Sequence, residues 1–317
     1  MPLIESVVKS VVKSAVQRVD GVLKIPTIFD DAFAIYGTVN YLGNSNNVVR
    51  LYNSGASTAE KDFTEAELTD GSTYTNWLDG ASSSSTRVAT LYNQLGDSDL
   101  DLKNPNSSSR PYYESSENAI RSDGTGYFQY STLFLTSSAG NSKVTSAFED
   151  NTITSDTSII LGARKKDNTL YGLPVASRTM FALRDGYAPT YAYNAKHKAI
   201  SVKPTSSYSD DIAISARDND NTLVIEEHDT FDHSTLKTYI GEIQRQPVAG
   251  VTSTDMNLFV NTTQEVDTNT TSLANDIDLA NIVLGDNRFV MKGALLFNKI
   301  LTSDEKSELH TRMSEDY

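Results

Sequence analysis

Three aspartates, Asp97, Asp99 and Asp101, alternate along one short stretch of the chain. In an extended segment their carboxylates would share one side, because successive side chains of a strand point to opposite faces. In a loop they could surround a hard cation, because calcium takes six to eight oxygen ligands. The spacing predicts a calcium site at Asp97, Asp99 and Asp101, and the alternative is a solvated acidic turn.

Tyrosine is abundant, with 16 residues in the chain. Its ring is flat and amphipathic and is ordered at a low entropic cost, which suits a recognition surface. We predict that Tyr112, Tyr113, Tyr187 and Tyr191, which lie in or near loops, bind a ligand. The alternative is that some of them are ordinary strand residues.

One cluster combines histidine with carboxylates, at residues 226–233. His228 and His233 are five residues apart, which is not the spacing of a helical zinc site. A polar strand end is therefore predicted, and a metal or acid–base site is the alternative. Paired carboxylates for glycoside hydrolysis must lie ~5–10 Å apart in the fold. With 41 acidic residues in the chain, the sequence alone identifies no such catalytic pair.

Residues 5–20 form a four-residue repeat rich in valine. As a helix, the repeat would place its valines on one face: Val7, Val8, Val11, Val12, Val16 and Val19. Because valine is a modest helix former, this helix would be weak in isolation and needs a partner surface. We predict that residues 1–21 form a helical peg for homo-oligomerisation or docking, followed by one domain over residues 22–317. The alternatives are packing of the helix on its own domain and a helix that lies on a membrane surface.

The composition excludes several classes of protein. A net charge of -14 lacks the basic face of a nucleic-acid binder. With no cysteine, disulfides, zinc–thiolate sites and a cysteine nucleophile are impossible, and a bacterial or viral source is favoured. The chain contains no run of 18 apolar residues, so no membrane span is predicted. Lys9 and Lys13 interrupt the continuous apolar run that a signal peptide would need, so no signal peptide is predicted.

Abundant Ser, Thr, Asn and Asp favour short strands joined by turns. About twelve segments are predicted as strands: 34–52, 88–92, 127–135, 158–163, 180–183, 190–194, 212–216, 222–227, 237–243, 256–260, 281–285 and 289–297. The last of these is apolar on both faces, and Gly293 within it predicts a bulge or a close backbone approach. Thr302 and Glu305 have the spacing of a capping box, which predicts a small helix after the strand.

Two segments before this ending support a family resemblance. Residues 256–261 resemble the "LxVNG" strand of laminin-G-like jelly rolls, and residues 281–285 resemble their "xxLGG" strand. The strand, turn and helix at the end of the chain resemble those of concanavalin A-like lectin/glucanase domains. The resemblance implies an all-β, two-sheet concanavalin A-like jelly roll.

Residues 33–130 resemble the catalytic-type domain of the α-L-arabinofuranosidase B family. The order of the segments at 34–36, 48–52, 60–64, 77–80, 87–97 and 110–111 carries this resemblance. It implies a core position for Trp77. Asn93 stands where the family has Asp, and an amide cannot act as a carboxylate base or nucleophile. We therefore expect no hydrolysis of arabinofuranosides, although the resemblance itself implies a glycoside hydrolase.

The predicted function is a non-enzymatic structural and binding protein of a virion, of the phage spike, fibre or decoration type. It would dock onto other virion proteins through the N-terminal helix and recognise a host-surface glycan. The acidic charge favours a neutral glycan. The alternatives are a glycoside hydrolase of arabinofuranosidase type and a bacterial extracellular carbohydrate-binding or adhesion module.

Overall fold

The computed structural model describes most of the chain between Thr27 and Glu315 and two short strands before it. The described residues are 17–19, 22–24, 27–122, 132–148, 155–165, 178–185, 196–204, 210–220, 222–228, 234–248, 251–273, 277–285 and 289–315. Twenty strands lie within these ranges: β1 (Gln17–Val19), β2 (Val22–Lys24), β3 (Ala34–Gly37), β4 (Asn47–Tyr52), β5 (Glu60–Thr64), β6 (Arg87–Leu91), β7 (Leu102–Lys103), β8 (Tyr112–Glu114), β9 (Ala119–Ser122), β10 (Thr132–Leu135), β11 (Ser155–Lys165), β12 (Arg178–Arg184), β13 (His197–Pro204), β14 (Asp210–Arg217), β15 (Leu223–His228), β16 (Lys237–Val248), β17 (Val251–Val260), β18 (Thr263–Thr270), β19 (Asn281–Gly285) and β20 (Phe289–Phe297). The same ranges hold four α-helices: α1 (Glu65–Asp70), α2 (Ser72–Leu78), α3 (Ser138–Phe148) and α4 (Ser303–Ser314).

The strands after β2 form two antiparallel sheets. Sheet I has the order β18–β17–β16–β11–β20, and β3 and β9 pair with different parts of β20. Sheet II has the order β15–β14–β13–β12–β19–β10–β7–β6–β4–β5. Strand β8 pairs with both β6 and β9, so it joins the two sheets at a corner. This arrangement confirms the predicted all-β architecture of two sheets.

The main core lies between the two sheets. Gly241 on β16 faces Ile200 of β13 and Ile214 of β14, and a Cβ at this position would lie 3.2 and 3.1 Å from their side chains. Since protein interiors are close-packed, a larger residue here would force the sheets apart. Trp77 is 4% exposed, and its Nε1 donates to the carbonyl oxygen of Thr58 at 2.8 Å. Its predicted core position is confirmed.

Strand β20 is buried on both faces, as its apolar sequence predicts. Met291 belongs to the main core, whereas Leu295 packs in a second cluster on the outer side of sheet I. Helix α4 covers this second cluster with Leu309 and Met313, which are four residues apart and fully buried. The helix therefore closes the outer side of the sheet that the last strand completes.

The local features predicted around β20 and α4 are confirmed. Thr302 Oγ1 accepts the N–H of Glu305 at 3.3 Å, and the Glu305 carboxylate accepts the N–H of Thr302 at 2.7 Å. The register between β11 and β20 shifts at Lys292, which is the extra residue of β20 between the pairs Gly162–Gly293 and Ala163–Met291. A Cβ on Gly293 would overlap the hydroxyl of Tyr41. Position 293 thus combines the predicted bulge with the predicted close approach.

The N-terminal prediction is corrected at its end. Residues Gln17–Val19 form β1, which pairs with β2 in antiparallel register. The predicted helix is wrong for these three residues, Val19 included, because their backbone follows a strand partner instead of a helical ladder. The other valines of the repeat lie outside the described residues: Val7, Val8, Val11, Val12 and Val16. Oligomerisation through them, and a domain boundary at residue 21, stay predictions. None of the helices in the described ranges is long and apolar enough to cross a membrane.

Candidate functional site

The three aspartates of the predicted calcium site do not share one environment. Lys143 of α3 places its Nζ 2.7 Å from the Asp97 carboxylate and 3.0 Å from that of Asp99. Hydrogen bonding to Lys143 lowers the pKa of Asp99. Asp101 is 6% exposed and accepts the backbone N–H of Asn93 at 3.0 Å, and burial raises the pKa of its carboxyl.

A calcium ion in this loop would therefore have to displace an ammonium group. Within the described ranges, no group of three or more His, Cys, Asp or Glu residues is placed to hold a metal ion. Calcium binding at residues 97–101 stays a prediction.

Asn93 and Gln94, within the segment that resembles the arabinofuranosidases, hold backbone in place. Asn93 Oδ1 accepts the N–H of Ile35 at 3.1 Å. Gln94 Oε1 accepts the N–H of Tyr41 at 3.0 Å, and its Nε2 donates to the carbonyl oxygen of Val39 at 2.6 Å. Both side chains are buried. They fix β3 and the loop after it against the end of β6, so this pair is architectural.

The four predicted ligand-binding tyrosines fall in different settings. Tyr113 is 4% exposed, and its ring packs edge-on against Tyr74 with centroids 5.3 Å apart. Its prediction as a ligand-binding residue is wrong, because strand alternation turns it into the core. Tyr112 is its neighbour on β8, so it points to the opposite face and is half-buried. Tyr187 and Tyr191 lie outside the described residues.

A row of polar and aromatic side chains crosses five strands near the corner of the sandwich. The strand register places Glu60, Tyr52, Arg87, Tyr112 and Arg121 in succession on β5, β4, β6, β8 and β9. Residues in direct register are close enough for their side chains to touch. Arg110 and Glu114 contact this row, and Arg50, Asp62 and Tyr92 lie beside it on β4, on β5 and just after β6. Together these residues form one surface, which we call the tyrosine–arginine face: Arg50, Tyr52, Glu60, Asp62, Arg87, Tyr92, Arg110, Tyr112, Glu114 and Arg121.

Period-two alternation of the sequence produces this face. On β4, Val49 and Leu51 are fully buried in the main core, whereas Arg50 and Tyr52 point outward and are half-buried. A strand alternates its side chains between two faces, so a polar residue at every second position leaves one face for water. The rigid sheet behind the face holds its side chains in fixed relative positions.

One end of the face is a hydrogen-bonded triad. Arg50 binds Asp62 in a bidentate pair, with Nε–Oδ1 of 2.6 Å and Nη2–Oδ2 of 2.9 Å. The hydroxyl of Tyr92 donates to Asp62 Oδ1 at 2.7 Å. The Arg50 guanidinium lowers the pKa of Asp62, while burial and the neighbouring carboxylate raise the pKa of Tyr92. Asp62 is therefore ionised and Tyr92 neutral at physiological pH.

The middle of the face joins Tyr52 to Arg110. The guanidinium carbon of Arg110 lies 5.1 Å from the ring centroid of Tyr52, within cation–π range. Its Nη1 donates to Glu60 at 3.0 Å, and its Nε donates to the carbonyl oxygen of Asn104 at 2.7 Å. Arg110 thus holds the loop before β8 against the sheet.

The other end of the face is built around Tyr112. The guanidinium carbons of Arg87 and Arg121 lie 3.6 and 4.8 Å from its ring centroid. Arg121 also binds Glu114 at 2.6 Å. Since Tyr112 has a guanidinium from each flanking strand against its ring, it acts less as an open stacking platform than as a support for the arginines.

The carboxylates of this face do not form an acid–base pair. Glu60 and Asp62 are two residues apart on β5, so they share a side about 7 Å apart, and each is bound to an arginine. Glycoside hydrolysis needs one carboxylic acid with a raised pKa beside a carboxylate. The lowered pKa of Asp62 excludes it as the acid of such a pair, and both of its oxygens are bound to Arg50.

Of the residues on this face, Tyr112 is predicted from the sequence as a binding residue, and the arginines are not. A signal was present, because Arg50 and Tyr52 alternate with Val49 and Leu51. Alternation predicts that these side chains point outward, but it does not predict which strands lie beside β4. The pairing of β6 with β4 and β8 brings Arg87 between two tyrosines.

The comparisons with known proteins agree on the fold. No protein-family model and no curated protein matches the chain. Solved structures of arabinofuranosidases share its jelly-roll fold, which confirms the fold-level resemblance that the sequence implied. One is a GH54 α-L-arabinofuranosidase soaked with a cyclic sulfate inhibitor, with a TM-score of 0.55, 9% identity and 91% of this chain covered. Another is an arabinofuranosidase in complex with arabinofuranosyl-α-1,2-xylobiose, with a TM-score of 0.51 and 9% identity.

The chain covers 64% of the length of each of these two enzymes. At such low identity the likeness establishes the fold alone, because one fold hosts many unrelated functions. The activity of this chain has to be argued from its own residues.

Proposed function

We propose that this domain binds a saccharide without hydrolysing it, and that the tyrosine–arginine face is the binding surface. The observation that carries the proposal is the row of half-buried tyrosines and arginines on one rigid outer sheet face. Tyrosine rings pack against the apolar faces of sugars, and guanidinium groups donate several hydrogen bonds in a fixed fork. A rigid support lowers the entropic cost of binding.

Tyr92 is the ring on this face that is best placed to stack on a sugar. It is half-buried, its hydroxyl is fixed by Asp62, and its ring makes no aromatic or cation–π contact with described residues. Arg87 lies five residues before it with a bulge between them, so the two lie opposite residues of β4 that are four apart, about 13 Å along the strand. The face is therefore longer than one sugar ring and suits an oligosaccharide.

The test is binding to an oligosaccharide array by the wild type and two variants at Tyr92. We expect Tyr92→Ala to weaken binding at least about fivefold, since it removes the stacking ring. Tyr92→Phe keeps the ring and is expected to lose less. Equal binding by wild type and Tyr92→Ala would show that the sugar does not bind at this face, and no binding to any glycan at high density would refute saccharide recognition.

At a finer level, we propose that the protein is a component of a virion surface, where it attaches to a host glycan. A single sugar site is weak, around millimolar or roughly -4 kcal/mol, and many copies on one particle would multiply the effective affinity. The valine repeat at residues 5–20 supports this idea as a means of assembly. Deletion of residues 1–21 should lower the oligomeric mass or abolish incorporation into a particle while the domain stays folded. Unchanged light scattering and incorporation would contradict it.

The fold shared with arabinofuranosidases favours glycoside hydrolysis as the second candidate. The arginine-bound carboxylates of the face and Asn93 argue against it. Release of 4-nitrophenol from an aryl arabinofuranoside, abolished by a single Asp or Glu substitution, would establish hydrolysis and overturn the first proposal.

A further inference from the structure

We propose that the tyrosine–arginine face recognises an acidic saccharide, with the guanidinium of Arg87 binding a carboxylate of the ligand. This inference rests on the proposed saccharide binding and assigns its chemical class. It departs from the expectation of a neutral glycan, which the overall charge of -14 suggested.

The arginines of the face differ in whether they have an acidic partner. Arg50 is paired with Asp62, Arg110 with Glu60, and Arg121 with Glu114. Arg87, alone among these four, forms no ion pair in the part of the chain that the structure describes. Four arginines and three carboxylates leave one net positive charge on the face. That charge belongs to Arg87.

Arg87 is held in position by neutral groups. Its Nη1 donates to the carbonyl oxygen of Arg110 at 2.9 Å, and its Nη2 donates to the hydroxyl of Tyr112 at 2.7 Å. Its guanidinium carbon lies 3.6 Å from the centroid of the Tyr112 ring. A guanidinium has five N–H donors, and two of them make these bonds. The other three have no acceptor among the described residues, so a ligand could accept hydrogen bonds from them while the group stays fixed.

A fixed and half-buried guanidinium favours a carboxylate over a hydroxyl. A guanidinium and a carboxylate match in geometry and form charge-assisted hydrogen bonds, which are stronger than neutral ones. Burial of part of the arginine reduces screening by water and strengthens the interaction. The acidic remainder of the protein would repel long anionic polymers at a distance. A short acidic oligosaccharide can place its carboxylate next to Arg87 and is too short to be repelled strongly by the acidic remainder of the protein.

The experiment compares each acidic glycan with its neutral counterpart. The probes are oligogalacturonate and sialyllactose, each beside the same oligosaccharide after reduction of its carboxyl group, with the full chain as the protein. We expect the acidic form to bind about 10- to 100-fold more tightly at low salt. Arg87→Gln should abolish this preference, because it should weaken binding of the acidic form far more than binding of the reduced form.

The matched control is Arg312→Gln, which removes one positive charge from the exposed end of α4. It should keep the preference for the acidic form. If it weakens the preference as much as Arg87→Gln does, general electrostatics explains the effect and the inference fails. If Arg87→Gln does not fold, Arg87→Lys carries the test, because it keeps the charge without the fork. An unchanged preference in Arg87→Lys would overturn the inference.

Two further outcomes separate this inference from the proposal on which it rests. In the first outcome, the wild type binds the acidic and reduced forms equally, and Tyr92→Ala weakens both. This result would overturn the preference for an acidic saccharide and leave saccharide binding at this face in place. Binding of neither form overturns saccharide recognition itself.

Discussion

A buried ion pair joins helix α4 to sheet I. Removing the positive charge of this pair tests the packing of the helix on the sheet. Lys306 Nζ lies 2.7 Å from the Glu242 carboxylate, and the two side chains are 11% and 3% exposed. The carboxylate also accepts the N–H of Leu301 at 3.1 Å. The Lys306 ammonium lies 4.2 Å from the ring centroid of Phe259. The substitution Lys306→Met removes the charge and keeps most of the side-chain volume.

The expected cost is large because the substitution leaves a charge in the protein interior. Without Lys306, the Glu242 carboxylate keeps only the N–H of Leu301 among these donors. Removing one partner of a buried ion pair typically costs roughly 3–5 kcal/mol of the free energy of unfolding. For a chain of 317 residues, that corresponds to a melting temperature lower by about 4–8 °C.

The measurement is urea unfolding followed by circular dichroism, beside thermal melts of the same variants. Lys299→Met is the matched control, because Lys299 pairs with Asp31 and Glu305 near the surface. Exposed ion pairs contribute roughly 0–1 kcal/mol. The double variant Glu242→Gln with Lys306→Met should recover much of the loss, since a buried pair can be replaced by neutral groups at little cost. A loss in Lys306→Met no larger than that in Lys299→Met would refute the reasoning.

Three further predictions concern other parts of the fold. Gly140→Ala in α3 should lower the free energy of unfolding by about 1–3 kcal/mol, because a Cβ there would overlap the carbonyl oxygen of Asp99. Alanine is the better helix former, so helix propensity alone predicts the opposite sign. A variant that is more stable than the wild type in urea unfolding would contradict this prediction. Burial lowers the pKa of His310 in the folded state, whereas in the unfolded state its pKa is about 6.5. Between these two pKa values the unfolded state binds more protons, so the free energy of unfolding falls as the pH falls through this window. In unfolding measured between pH 7 and pH 5, His310→Gln should therefore lose less stability than the wild type, and equal losses would remove the argument. If the loop at residues 97–101 takes calcium, millimolar calcium over EDTA should raise the melting temperature more in Lys143→Met than in the wild type, and no rise in either protein would eliminate the site.

Some elements could be predicted because their cause is local. The capping box at Thr302 and Glu305 depends on residues three apart, and it forms as the sequence predicts. The same signature stands at Thr64 and Glu67 and begins α1. This second signal is equally local, because it too depends on residues three apart. The acidic stretch at 97–101 shows the limit of local spacing, because the partner of its carboxylates comes from a distant helix.

The sequence by itself determined the strand-rich class, the two-sided burial of β20, the irregularity at Gly293 and the small closing helix, since periodicity, turn residues and capping act within a few residues. Only the tertiary structure decided that Tyr113 enters the core while Tyr112 stays on the surface, and that Lys143 meets Asp97 and Asp99. It also decided that Arg87 lies between two tyrosines and has no acidic partner among the residues that the structure describes. These contacts depend on which strands become neighbours and in which register. Because a shift of one residue turns every side chain to the other face, no local pattern fixes them.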